Sequence, residues 1–191
     1  MAAVISRKTK ETKIELSLEL YGKGESSIKT GIGFFDHMLE ALSKHGLWDL
    51  QLTCEGDTHV DFHHSVEDVG IAIGQALKQE IFPVKNVERF GEASILLDEA
   101  AVNTIIDLSN RAFLYFDLPL ENKVGEFDAE LTEEFFRALT TNAGISAHMT
   151  FLRGKNRHHI IEAAFKSFAV ALRRAVSINE RAAVPSTKGV L

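Results

Sequence analysis

A single cysteine, Cys54, leaves the 191-residue chain without a partner for an internal disulfide. No apolar run reaches the roughly 18 residues that a membrane-spanning helix needs. An excess of positive charge is also missing. The formal net charge of −6 argues against a general nucleic-acid or anionic-membrane surface, because both partners call for dense Lys/Arg patches. The opening stretch MAAVISRKTKETK has no apolar core of the kind a secretory signal carries. The expected setting is therefore a reducing one, the cytoplasm. With 45% hydrophobic residues, the chain can bury a continuous core as one domain or as two small fused ones.

What is abundant is histidine. Four of the eight histidines fall in two adjacent pairs. VDFHHSVEDVG holds His63, His64 and Glu67; 95 positions after His63, RHHIIEAAF repeats the spacing with His158, His159 and Glu162. The surroundings repeat as well. HMLEALSKHG precedes the first pair and EFFRALTTNAG the second, each reading as a helix stopped by glycine. LWDLQLTCEG and ISAHMTFLRG follow as extended stretches, and each histidine pair then opens a helix. The stretch from Arg7 to Leu20 places Ile14, Leu16, Leu18 and Leu20 on one strand face, with a turn at Gly22 and Gly24. The segment from Glu92 to Leu118 supplies two or three further strands. The expected fold is α+β and internally duplicated, each half a small mixed β-sheet with two helices packed on one face. The halves are read as residues 1–84 and 85–178, joined near Pro83, with 179–191 as a C-terminal tail.

Chemistry follows from the spacing. On a helix, neighbours diverge by about 100°, whereas residues three or four apart share a face. His63 and Glu67 thus point one way, and two adjacent imidazoles serve one ion poorly. The economical reading gives each imidazole of a pair to a different ion, with ligands from the other half or another subunit completing each shell. Imidazole and carboxylate without thiolate suit Mn²⁺, Fe²⁺ or Zn²⁺, and the mixed donor set leans toward a six-coordinate ion such as Mn²⁺. One such pair at a helix start is ordinarily solvated or capping; two at matched positions point to metal. Aligning the preceding helices sets His37 opposite Glu134, both able to bind a metal. His45 and His148 lack such counterparts and are expected to be structural. Gly31 and Gly33 begin a dinucleotide-like pattern, but no third glycine follows, so nucleotide binding is not expected. Arg89, Arg111, Lys166 and Lys188, with Ser186 and Thr187, form a set suited to a phosphate through guanidinium contacts and hydroxyl donors.

GFFDHML, DFHHSVEDVGIAIGQAL, LDEA, NRHHIIEAAFKSFAVALRRA and the ending PSTKGVL span nearly the whole chain. In this order they resemble the imidazoleglycerol-phosphate dehydratase family of histidine biosynthesis. The resemblance implies a duplicated fold shared with a ribosomal-protein domain, and a 24-subunit homo-oligomer with active sites between subunits. It also implies two Mn²⁺ per site. The family's metal ligands map onto His37, His63, His64, Glu67, His158, His159 and Glu162. The eighth falls on Glu134, where the family often has histidine. Substrate contacts map onto Glu11, Arg89, Arg111, Lys166, Ser186, Thr187 and Lys188, with His37 also facing the substrate; the last three lie in a tail that closes over the phosphate.

The resemblance also makes a mechanism legible. Metals on both ring nitrogens would hold the substrate as imidazolate, which expels the C3 hydroxyl to give a diazafulvene-like species. Loss of the C2 proton gives an enol that tautomerises to imidazole acetol phosphate. A carboxylate must shuttle protons, and Glu11 is the expected one, the paired histidines with Glu67 and Glu162 completing the catalytic set. Two other readings fit the same residues: a dinuclear metallohydrolase of a phosphate ester, and a metal-linked structural shell without catalysis.

Overall fold

A computed structural model describes residues 2–189. Met1 of the first half and Val190 and Leu191 of the tail lie outside the described residues. The first half runs β1 (Ala3–Lys8), β2 (Thr12–Glu19), β3 (Ser26–Lys29), α1 (Gly33–Gly46), β4 (Asp49–Gly56) and α2 (His63–Ile81). The second runs β5 (Phe90–Leu97), β6 (Ala100–Asp107), β7 (Phe113–Asp117), a short β8 (Lys123–Val124) and β9 (Phe127–Asp128), then α3 (Leu131–Ala143), β10 (Ser146–Arg153) and α4 (Arg157–Ala175). Apart from the β8–β9 ribbon the two orders are identical.

The sheets match as well. One is ordered β1-β2-β4-β3 and the other β5-β6-β10-β7. In both, the first three strands are antiparallel and the last pair, β3 with β4 and β7 with β10, is parallel. Strand burial alternates: in β2, Ile14, Leu16 and Leu18 face inward while Lys13 and Glu15 face out. The duplicated α+β unit expected from the sequence is therefore present, each sheet carrying its helices on one face.

The helices of one half pack on those of the other, α1 against α4 and α2 against α3. They form a middle layer between the two sheets. Gly70 and Gly74 make the second contact close, since a Cβ at Gly74 would lie 2.5 Å from the Leu139 carbonyl oxygen of α3. Phe135, Phe136, Phe165 and Phe168 fill the core between α3 and α4, with ring centroids 4.8–5.1 Å apart.

Three local details differ from the sequence reading. The stretch from Arg7 to Leu20 is a hairpin rather than one strand. The chain reverses because the Thr9 hydroxyl accepts hydrogen bonds from the Glu11 and Thr12 backbone N–H groups, at 3.1 and 2.9 Å. Gly144 ends α3 in the left-handed conformation. In α1, by contrast, Leu47 takes that conformation, and Gly46 is needed for the close approach of the Trp48 ring. His148 is exposed on the outer sheet face, its ring beside Phe113 and Tyr115.

Candidate metal centre and anion pocket

The packing of α1 on α4 brings together residues far apart in sequence. His37 Nε2 lies 3.4 Å and His158 Nε2 3.2 Å from the same Glu162 oxygen, Oε2. Ligand atoms of all three residues fall within 4.8 Å of one another. Two imidazoles and a carboxylate at this separation fit a divalent ion of the nitrogen- and oxygen-binding kind. Lys166 takes the other Glu162 oxygen, Oε1, at 2.6 Å. Burial pushes the Glu162 carboxyl up, but the Lys166 hydrogen bond and charge, the His37 charge and the His158 bond hold it below its ordinary value.

The repeat places Glu134, His63 and Glu67 at the matching points of α3 and α2. His63 Nε2 and Glu67 Oε2 are 4.0 Å apart, and Glu134 is half-buried on α3. This trio is looser. Among the described residues, His37, His158 and Glu162 are the group drawn together closely enough to hold an ion without rearrangement.

Each histidine pair splits as the spacing requires. The rings of His63 and His64 are inclined at 82°, those of His158 and His159 at 84°. The second member of each pair is held by a carboxylate: His64 Nδ1 donates to Asp57 at 3.0 Å and His159 Nδ1 to Glu99 at 2.7 Å. Such a bond fixes the ring and its tautomer and leaves Nε2 for another partner. The bonds raise both histidine pKa values. Glu99 is held down at about 2, chiefly by His159 and then by the Asn156 and Lys155 backbone N–H groups. An exposed carboxylate stands beside each free Nε2, Glu11 at 3.8 Å from His64 and Asp98 at 4.0 Å from His159.

Asp57, Asp98 and Glu99 were not singled out from the sequence. Glu99 was within reach, since it lies in the LDEA motif. A capping signal was also legible. Asn156, the N-cap of α4, stands two positions before the second pair and accepts from the His158 backbone N–H at 3.0 Å. Asp61, two positions before the first, accepts from the His63 N–H at 2.8 Å, with Phe62 as the N-cap of α2.

The anion set assembles elsewhere. Arg89, Arg111, Ser186, Thr187 and Lys188 line one pocket of about 580 Å³, together with Ser109. Arg89, at φ +72°, is gripped by Asp107 through Nε (2.7 Å) and Nη2 (3.2 Å), and its Nη1 donates to the Pro185 carbonyl at 2.7 Å. The tail is tied to the same segment by hydrogen bonds from Asn86 N–H to the Ala183 carbonyl and from Asn179 N–H to the Asn86 carbonyl. Lys166 and Glu11 do not line this pocket; the first sits on Glu162 and the second beside His64.

Residues 30–172 match the family model described as imidazoleglycerol-phosphate dehydratase. The dehydratase of a Sulfurovum species is 63% identical over 187 residues, covering 98% of each chain, and that of Wolinella succinogenes is 62% identical with the same coverage. The crystal structure of the Staphylococcus aureus dehydratase superposes with a TM-score of 0.85 at 38% identity, covering 94% of this chain and all of that one. The chain belongs to the imidazoleglycerol-phosphate dehydratase family, hydro-lyases of histidine biosynthesis.

Proposed function

We propose that the chain converts D-erythro-imidazole-glycerol phosphate to imidazole acetol phosphate with two Mn²⁺ per active site. The sites lie between subunits of a 24-subunit homo-oligomer in the cytoplasm. The observation that carries this reading is the convergence of His37 and His158 on one oxygen of Glu162. That trio would hold one ion and the matched trio Glu134, His63 and Glu67 the other. His64 and His159, with Nε2 free, would complete shells begun by neighbouring subunits.

When bound, the two ions would supply Lewis acidity that lets the substrate's imidazole ring carry negative charge. The protein's own groups do the rest. Arg89, Arg111, Ser186, Thr187 and Lys188 fix the phosphate and so the carbon chain. Lys166, on Glu162, sets the charge at the trio and contacts substrate from there. Glu11 shuttles protons: the C3 hydroxyl gains one and departs as water, the C2 proton then leaves, and the enol becomes the ketone with phosphate retained.

The test is a stopped assay on chelated protein and again after Mn²⁺ is restored, following keto product and free phosphate together, with Glu11→Gln alongside. Keto product that depends on metal, without free phosphate, and that falls on the order of 10²- to 10⁴-fold in Glu11→Gln is expected. Free phosphate would favour a metallohydrolase, and undiminished turnover after verified metal removal would sink the manganese requirement.

A further inference from the structure

Asp68 lies on α2 one residue beyond Glu67 and one turn beyond His64, and is only 6% exposed. Its two carboxylate oxygens reach the two strands of the β1–β2 hairpin. Oδ1 accepts from Arg7 of β1, through Nη2 at 2.7 Å and Nε at 3.1 Å. Oδ2 accepts from the Thr12 hydroxyl of β2. The bonds continue into the turn, where the Thr12 and Thr9 hydroxyls are 3.2 Å apart and Thr9 Oγ1 accepts the Glu11 N–H. On its other side, the Glu11 carbonyl accepts from the Asp57 N–H at 3.1 Å, and the Asp57 carboxylate holds His64. A closed circuit of hydrogen bonds therefore runs from α2 through Asp68, the Thr12 and Thr9 hydroxyls, Glu11 and Asp57 back to α2 at His64.

We infer that Asp68 is a positioning residue: it fixes the turn that carries Glu11 against the His64 imidazole. The inference rests on the reading of Glu11 as the proton carrier.

The internal repeat supplies a control. Ninety-five positions after Asp68 stands Ala163. The equivalent hairpin turns in two residues between the paired Leu97 and Ala100, whereas four residues separate the paired Lys8 and Lys13. The second half thus builds the same sheet and helix with Ala163 in place of the buried Asp68 and with the shorter turn. A buried ion pair carries a desolvation cost that a well-packed apolar substitute avoids, so the scaffold alone does not account for Asp68. Both turns set an exposed carboxylate near a histidine Nε2, Asp98 on the short one and Glu11 on the long one, so what the first half has in addition is the length of the turn that carries Glu11. A flexible four-residue turn leaves an acid poorly placed, and misplacement by about 1 Å can cost about 10²-fold in rate.

The test is a double-mutant cycle on the Mn²⁺-loaded enzyme, with imidazoleglycerol phosphate as substrate and bound manganese measured for every variant. Asp68→Asn should lower kcat on the order of 10- to 100-fold, with KM changed by less than about threefold and metal content retained. In a Glu11→Gln background the same substitution should change kcat by less than about twofold. Thr12→Val, which leaves both partners of the Arg7–Asp68 pair in place, should show the same pattern at smaller amplitude and carries the cycle if Asp68→Asn does not fold. Losses that multiply in the Glu11→Gln background, or a rise in KM at constant kcat, would overturn the positioning role while leaving the reading of Glu11 intact. Full turnover in Glu11→Gln alone would remove that reading first, and the inference with it.

Discussion

His64 and His159 each give one ring nitrogen to a carboxylate and leave the other free, and that choice sets how protons and metal compete for them. The Glu99 bond raises His159 and holds Glu99 at about 2. In the metal-free protein the raised histidine favours folding most fully below its ordinary 6.5, an effect lost as pH rises through the higher folded value. The depressed Glu99 contributes fully above its ordinary 4.5, an effect lost as pH falls toward about 2. Their link is therefore complete between 4.5 and 6.5 and decays on either side. Glu99→Gln should bring the His159 midpoint, followed by NMR of the imidazole in metal-free protein, back toward 6.5. It should also weaken metal binding by about 10- to 100-fold, since the oriented and more basic ring is lost. An unmoved midpoint would show that the 2.7 Å contact does not persist in solution.

At the scale of elements, the duplicated helix starts were legible and their partners were not. HHxxE recurs at a fixed interval because α2 and α4 are copies, and the helical period alone parts the members of each pair. The pairing of α1 with α4 and of α2 with α3 leaves no such mark, since each helix shows only that one face is apolar. The His37–Glu162 contact spans 125 positions, and neither Asp57 nor Glu99 carries a spacing that names its histidine. The hairpin at Thr9–Glu11 was hidden because its outer residues read as a continuous polar face. Small residues were the available clue to helix contact, and Gly74 tests it. Gly74→Ala would set a methyl against the Leu139 carbonyl and the Asn142 Cβ, at 2.5 and 2.8 Å. Overpacking of this kind costs about 1–3 kcal/mol, more than the roughly 1 kcal/mol gained in helix propensity. Tm of the metal-free protein should fall by roughly 2–4 °C per kcal/mol. Gly33→Ala, where the added methyl meets nothing within 4 Å, should leave Tm unchanged or raise it. Equal behaviour of the two variants would mean that α2 and α3 are not in close contact.

For the whole molecule, the decisive fact is that the candidate groups of one chain do not converge on one another. His37, His158 and Glu162 meet at the α1–α4 junction, His64 and His159 present free nitrogens outside it, and the anion pocket lies at the tail. On the proposed reading, a site needing all three would draw them from different copies of the chain. Two variants damaged in different parts should then repair one another. His158→Ala breaks the inner trio, and His159→Ala removes an outward nitrogen. Each alone should be close to inactive as a homo-oligomer. If both are dissociated by chelation, mixed, and reassembled with Mn²⁺, some sites combine an intact trio from the His159→Ala chain with an intact His159 from the other. Activity should rise well above either parent, and more so as the variants approach equal proportions. Sites made wholly within one chain would leave every mixture at the parental background, because no chain in it carries both histidines.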